Sequence, residues 1–187
     1  MRRSDLQFEE NYNEYLRLLQ NDDYIEVKLD EESGGISAVH KLHKFAKTKG
    51  PSGERQGDYE RTVLDVLRKR GHRVILGPET NIPGIKSFDG FLNDVPMEIK
   101  AIEGIGTWAI STKLQQANRQ RAQCVVLYFP EEHLFSAFRV SEGIRLFRSN
   151  PNAYKDIRVL SKLFVVVKGD IGIYLDEKAT PIEGWSI

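Results

Sequence analysis

The sequence predicts an α/β (α+β) chain, a mixed central β-sheet flanked by helices with a small N-terminal extension. Three observations carry this. Between residues 54 and 129 the periodicities read helix, strand, strand, strand, helix, strand, an order that places a mixed sheet between helical layers. The helical stretches have one apolar stripe, whereas Cys124-Val-Val-Leu-Tyr-Phe is apolar throughout, as a strand covered on both faces would be. The length of 187 residues, with 40% hydrophobic and 29% charged, suits one globular domain and a modest extra element.

The elements follow in order. Phe8, Tyr12, Tyr15, Leu16 and Leu19 mark an amphipathic helix over Leu6 to Leu19. Tyr24 to Leu29 alternates as a strand does, Asp30 to Gly35 is a polar turn with paired glycines, and Ile36 to His40 is a second short strand. The stretch from Lys41 to Gly57, rich in Lys, Gly, Ser and Pro, reads as a linker or mobile loop, and a boundary near residue 50 separates the extension (1–50) from the main domain (51–187). A helix then runs from Glu54 or Asp58 to Arg70, with Tyr59, Val63, Val66 and Leu67 on one stripe and Gly71 in the C-terminal cap position. His72 to Leu76 is a strand and Gly77 to Ile85 a loop. Lys86 to Leu92 and Val95 to Ile102 are two strands joined by Asn93-Asp94. Glu103 to Thr107 is a Gly-rich loop, Ala109 to Gln123 a helix buried through Ile110, Leu114 and Ala117, and the strand at Cys124 ends at Pro130. A helix near Val140 to Arg148, a strand over Arg158 to Val167 and an edge strand at Ile171 to Leu175 complete the chain.

Composition narrows the function classes. No apolar stretch approaches the ~20 residues of a membrane helix, and Met-Arg-Arg-Ser-Asp leads into acidic residues rather than a signal core. One cysteine, Cys124, excludes an intramolecular disulfide and a cysteine zinc site, and fits a reducing cytoplasm. The net charge is zero, with 27 basic and 27 acidic residues. Only residues 51–130 lean basic, 11 against 9. A nucleic-acid partner therefore requires focused basic groups or a metal that supplies positive charge.

The hairpin carries the chemistry. Asn and Asp both tolerate positive φ, so Asn93-Asp94 is a plausible two-residue turn. Leu92 then pairs with Val95, and stepping outward sets Asp89 opposite Glu98. Directly opposed residues have Cβ atoms roughly 4.5–5.5 Å apart, where like charges destabilise. Lys100, two residues on, projects from the same face. Met97, Ile99 and Ala101 make the other face apolar, and Asp89 lies between Phe88 and Phe91. Two close carboxylates suit a hard cation such as Mg²⁺ or Mn²⁺, and a neighbouring lysine can orient or deprotonate a water, or stabilise charge on a phosphate.

Residues 57–129 resemble the PD-(D/E)xK nuclease superfamily. Gly57-Asp-Tyr-Glu60-Arg, with Val63, Leu67, Gly71-His and Val74, is similar to the first helix of archaeal Holliday-junction resolvases and their relatives. Asp89 matches the first strand acid, Glu98 and Lys100 the (D/E)xK. Ser111-Thr-Lys-Leu-Gln-Gln-Ala-Asn-Arg-Gln before Val-Val-Leu-Tyr-Phe resembles the helix after the motif. More narrowly, this helix and strand are similar to the C-terminal toxin domains of contact-dependent inhibition proteins (CdiA), commonly tRNA-cleaving nucleases, and to domains of phage-like and mobile-element proteins. The segment from Ser33 to His43 is similar to the leaders of such domains. Two positions depart from the pattern: Phe88 replaces the proline, and Lys113 stands where relatives often carry glutamine, although Gln120 keeps the Ala-x-x-Gln spacing.

The resemblance implies a restriction-endonuclease-like core and metal-dependent phosphodiester hydrolysis. Asp89, Glu98, the Ile99 carbonyl and Glu60 would hold one or two Mg²⁺ ions, with Mn²⁺ or Zn²⁺ as alternatives. Lys100 would position or deprotonate the water, and Thr112, Lys113, Gln116, Arg119, Gln120 and Arg55 would hold the nucleic acid. It places tRNA ahead of DNA as the substrate, in the cytoplasm of the producing or a target cell, with an immunity protein as a further partner. A DNA endonuclease or resolvase and a non-catalytic phage-associated adaptor stand as alternatives. On residue type alone, Glu60 could equally be a surface glutamate paired with Arg61, and the glutamines a solvated face. His40 and His43, spaced H-x-x-H, could bind metal, contact RNA, or act as acid and base, while His72 and His133 read as structural or exposed. Trp108 is expected in the core, with base stacking as the alternative. Gly104-Ile-Gly106 lets the backbone turn close to a substrate, and Glu79 and Glu103 are reserve acids.

Overall fold

The computed structural model describes residues 3–45, 47, 56–79, 88–150, 162–167, 170–174 and 181–183. Among them the order is α1 (Arg3–Leu19), β1 (Tyr24–Leu29), β2 (Ile36–His40), α2 (Gln56–Lys69), β3 (Arg73–Leu76), β4 (Gly90–Leu92), β5 (Val95–Ala101), α3 (Ala109–Arg119), β6 (Cys124–Phe129), a 3₁₀ turn (Glu132–Leu134), α4 (Ala137–Ser149), β7 (Lys162–Val167), β8 (Asp170–Tyr174) and β9 (Pro181–Glu183). The strands form one mixed sheet in chain order, β1 to β9. The β2–β3, β5–β6 and β6–β7 pairs are parallel and the others antiparallel. Each parallel pair is bridged by a helix, respectively α2, α3 and α4, because parallel neighbours need a crossover.

The α/β (α+β) class is the one expected. The N-terminal helix and hairpin join the same sheet through β2 and β3, so the boundary drawn near residue 50 falls within one continuous sheet. The edge strand expected over Ile171 to Leu175 is β8, which is not at the edge, since β9 pairs with it on its outer side; residue 175 lies outside the described residues. The strand expected from Lys86 is shorter: Phe88 and Asp89 precede it and β4 holds three residues, while 86 and 87 lie outside the described residues.

Two main cores result from strand alternation. Val74, Leu76, Leu92, Met97, Ile99, Cys124, Val126, Tyr128 and Phe164 face α2, where Tyr59, Val63 and Leu67 cover them. Val125, Leu127, Phe129, Leu163 and Val165 face α3 and α4, against Ile110, Leu114, Val140 and Phe147. Burying a Phe or Leu in these layers stabilises by about 2–3 kcal/mol each. Gly143 permits the close crossing of α4 over α3, for a Cβ there would strike Ile110.

The helix ends follow local chemistry. Gly71, at φ +81°, closes α2 as expected. Its N–H donates to the Arg68 carbonyl and the next N–H, of His72, donates to that of Leu67, the paired bonds of a Schellman cap. Helix α3 stops short of the expected Gln123, because Arg121 adopts φ +61° and the same two bonds form there, Arg121 to Asn118 and Ala122 to Ala117. The apolar face expected for α1 is also corrected: Phe8, Tyr12, Leu16 and Leu19 are exposed, and only Tyr15 of the expected stripe packs inward. Its inner face carries Leu18, packed on Ile36, Ala38 and Ile75, and Asn11, whose amide donates to the carbonyls of Gly34 at 3.0 Å and Gly71 at 3.3 Å. Two directed hydrogen bonds to backbone thus decide which face of α1 turns inward.

Gly90 is where β3 and β4 come closest. A Cβ there would collide with the Ile75 carbonyl oxygen and the Leu76 Cα, both backbone atoms that cannot swing away. Gly90→Ala is expected to destabilise the fold by about 2 kcal/mol or more and to loosen the adjoining Asp89. Chemical denaturation, with amide exchange at Ile99 as a local readout, measures both effects.

Candidate active site

The turn that positions the site forms as its residues require. Asn93 and Asp94 take φ values of +49° and +66°, the pattern of a type I′ hairpin turn. Asn93 is pinned on three sides: its N–H donates to the Arg73 carbonyl at 2.8 Å, its Oδ1 accepts from the Arg73 N–H at 2.9 Å, and its amide reaches His72 Nδ1 at 3.0 Å. Arg73 also pairs with Asp94. The register is Leu92 with Val95, Phe91 with Pro96 and Gly90 with Met97. The rung expected between Asp89 and Glu98 is not formed, but Asp89 directly precedes β4 and its charge acts on Glu98.

Asp89 ends the ladder instead of extending it. Its carbonyl still accepts from the Gly77 N–H at 2.9 Å, which holds it to β3. Its carboxylate Oδ2 takes the Ile99 N–H at 2.7 Å. The N–H and C=O of one strand residue point to the same edge, so the Ile99 carbonyl faces the Asp89 side as well.

Glu98 is the unusual group. Its register partner Val125 places it on the α3–α4 face, and its side chain is 0% exposed. The Lys100 ammonium pairs with its Oε2, yet no well-directed hydrogen bond reaches either oxygen. Burial pushes the carboxyl up to about 8, the Asp89 charge adds to the rise, and Lys100 works against it. A buried carboxylate without directed donors is costly. Burial and the Asp89 charge therefore favour a proton on Glu98 despite the Lys100 ammonium beside it.

Glu60 arrives from α2, on the opposite face of the sheet. It is 5% exposed, which excludes the surface reading, and Arg61 pairs instead with Glu26 at 2.9 Å. Burial raises the Glu60 carboxyl, a hydrogen bond from His43 opposes the rise, and the charges of Asp89 and Glu79 add to it. Asp89 is thus the residue that both Glu60 and Glu98 sense. His43 Nε2 lies 3.0 Å from Glu60 Oε2 and Nδ1 lies 3.0 Å from the Gly77 carbonyl. A carbonyl only accepts, so Nδ1 carries a hydrogen and the Nε2–Oε2 contact shares one proton. Burial opposes protonation of His43, but Glu60, the Gly77 carbonyl and Asp89 outweigh it and the net shift is upward.

The structure thus gathers Asp89, Glu98, the Ile99 backbone and Lys100, with Glu60 beyond Asp89. Among the described residues no group of three or more His, Cys, Asp or Glu side chains stands close enough to hold a metal ion by itself. Two carboxylates with a backbone carbonyl remain as a donor set of hard oxygens, the kind that fits Mg²⁺ or Mn²⁺. Thr112, Gln116 and Arg119 are exposed on α3, and Lys113 and Gln120 half-buried. Helix α3 returns from the end of β5 to the start of β6, so Thr112 and Lys113 lie toward the Lys100 end and Arg119 and Gln120 toward the Met97 end. Arg55 lies outside the described residues.

Trp108 is not in the core: it stands at the N-terminus of α3, 58% exposed. His40 stacks edge-on to Tyr24 at 5.4 Å, and it meets His43 through the backbone, its carbonyl accepting from the His43 N–H at 2.8 Å. His72 packs edge-on to Phe164, with burial bringing it down to about 4, and His133 is exposed beside Glu131. Glu103 accepts from the Tyr59 hydroxyl, and Gly104 and Gly106 lie in the open, with the Gly104 carbonyl held by Arg139 at 2.8 Å. Burial pushes the Cys124 thiol up to about 12, which leaves it inert. The residue that sequence reasoning undervalued is His43. Its H-x-x-H spacing was a signal of the wrong kind, because the partner that matters is Glu60. Comparison with family models, curated proteins and solved structures gives no match.

The Glu98 shift has a testable consequence. The folded state binds this proton more tightly than the unfolded chain, so the stabilisation is full below about 4.5 and is lost as pH rises towards about 8. In chelator, Glu98→Gln is expected to melt several degrees above the parent protein at pH 8.5, with the gap closing at pH 5. A gap that does not vary with pH contradicts this account of Glu98.

Proposed function

We propose that this chain is a metal-dependent endonuclease that hydrolyses phosphodiester bonds, with RNA of the tRNA class ahead of DNA as its substrate. The observation that carries the reading is Glu98, fully buried, under the charge of Asp89, with Lys100 against it and no directed hydrogen bond to either oxygen. The match of Asp89, Glu98 and Lys100 to the PD-(D/E)xK pattern supports it, and the preference for tRNA rests on the resemblance to CdiA toxin domains alone.

A divalent cation bound by these oxygens supplies a water of lowered pKa and offsets charge on the phosphate. The chain's own residues do the rest. The Ile99 N–H fixes Asp89 Oδ2 and so sets the direction of the other oxygen. Glu98 is held by its burial in the sheet. Lys100, 16% exposed at its side chain, has both a buried partner and access to the surface, so it can turn from Glu98 to a water or a phosphate oxygen. Glu60, Glu79, Asp89 and Glu98 together repel a polyanion, which makes a bound cation a condition of substrate approach as well as of chemistry.

Incubating the protein with tRNA and with plasmid DNA, in Mg²⁺, Mn²⁺ or EDTA, tests the reading. Cleavage is expected with either metal and absent in EDTA, and Asp89→Ala and Lys100→Ala are each expected to lower the rate about 100-fold or more. Cleavage that survives chelator and both substitutions rules the proposal out, and plasmid cut in preference to tRNA moves the substrate to DNA.

A further inference from the structure

We infer that His43, delivered by the N-terminal helix and hairpin, is a positioning residue of this site that fixes the Glu60 carboxylate in place. The inference rests on the proposed metal-dependent reading. It stands on the geometry of one buried chain of contacts. The Gly77 carbonyl, at the end of β3, anchors Nδ1 at 3.0 Å, and Nε2 reaches Glu60 at 3.0 Å. Side-chain exposure is 3% for His43 and 6% for Glu60, so water does not compete for either partner. Gly77 also donates to the carbonyl of Asp89 at 2.9 Å, so the residue that anchors His43 is bonded to Asp89 as well. The ring is steadied by Phe45, edge-on at 4.9 Å, and the Arg61 guanidinium lies 3.6 Å from the Phe45 centroid.

A carboxylate on a helix has free rotation about its outer bonds, and a group that must meet a cation loses affinity when it wanders. A histidine bonded on one side to backbone and on the other to the carboxylate removes that freedom. The chain that does so enters the site from residues 41–45, immediately after β2. The N-terminal extension therefore has a stake in the site, beyond lengthening the sheet.

The test uses the full chain with Mn²⁺ as the probe. Mn²⁺ affinity is measured by calorimetry, and cleavage by steady-state kinetics, for the parent, His43→Ala, His43→Gln and His43→Asn. The glutamine amide can take the place of Nε2 against Glu60, while the asparagine amide takes that of Nδ1 against Gly77. A positioning role predicts Mn²⁺ affinity about 10-fold or more weaker in His43→Ala and His43→Asn, substantial recovery in His43→Gln, and no further loss when Glu60→Gln is added to His43→Ala. Equal Mn²⁺ affinity and equal kcat in the parent and His43→Ala overturn it. If His43→Ala does not fold, the Gln and Asn variants decide, and equal Mn²⁺ affinity in those two overturns it. A parent protein that binds no Mn²⁺ and cleaves nothing removes the underlying reading of the site, an outcome distinct from a parent that cleaves and a His43→Ala protein indistinguishable from it.

Discussion

The carboxylate of Glu98 is fully buried, with the charge of a second carboxylate, Asp89, and one lysine acting on it. Much of the local architecture reads as the means of keeping it so. The sheet closes over it because Val125 and Leu163 carry the same face into the α3–α4 core. The ladder stops at Gly90, since Asp89 spends its side chain on the Ile99 N–H and not on a further rung. Had β4 continued as regular strand, the edge of β5 at Ile99 would be filled by backbone and the carboxylates would have no opening. The glycine that lets β4 press against β3 therefore has a second effect: it fixes where the hairpin stops being a hairpin and becomes a site.

The two faces of the sheet contribute differently. On the α2 face the acid is Glu60, matched by a histidine and nearly sealed. On the α3–α4 face the acid is Glu98, matched by a lysine with surface access. Asp89, at the strand end, belongs to both environments. A buried ion pair gains little stability once desolvation is counted, so neither pair is explained by folding alone. Hydrophobic residues of similar volume would fill these positions at lower cost. The cost of burying Glu60 beside His43 and Glu98 beside Lys100 points to a role outside stability.

Part of this was legible in the sequence, and the boundary between the legible and the rest is physical. Asn93-Asp94 specifies its turn through local φ preference, and a two-residue turn fixes the register from Leu92–Val95 to Gly90–Met97, so that much of the hairpin followed by counting. Gly71 announced its cap for the same reason. Arg121 takes a glycine-like conformation that its side chain does not advertise, and α3 ended early. For α1 most of the apolar stripe points outward, Tyr15 excepted, because Asn11 meets two backbone carbonyls 23 and 60 residues away, contacts that no local pattern encodes. His43 and Glu60 are 17 residues apart across a Gly- and Pro-rich stretch, and their pairing is a product of the β2–β3 crossover. Trp108 shows the limit of composition: a large apolar residue was assigned to the core, yet it starts a helix at the surface.

Charge supplies the last step. A chain of zero net charge has no long-range pull on a polyanion, and the acids at the centre of this site add a local repulsion. A proton on the Asp89–Glu98 pair removes one unit of that repulsion and leaves the pair inert. On the proposed reading a divalent cation held by Asp89 and Glu98 would remove two, take the place of that proton and supply positive charge for a phosphate. On the proposed reading, then, the acidity that counts against a nucleic-acid partner in the overall composition is what makes the site respond to metal, because substrate approach and hydrolytic chemistry are switched on by the same ion.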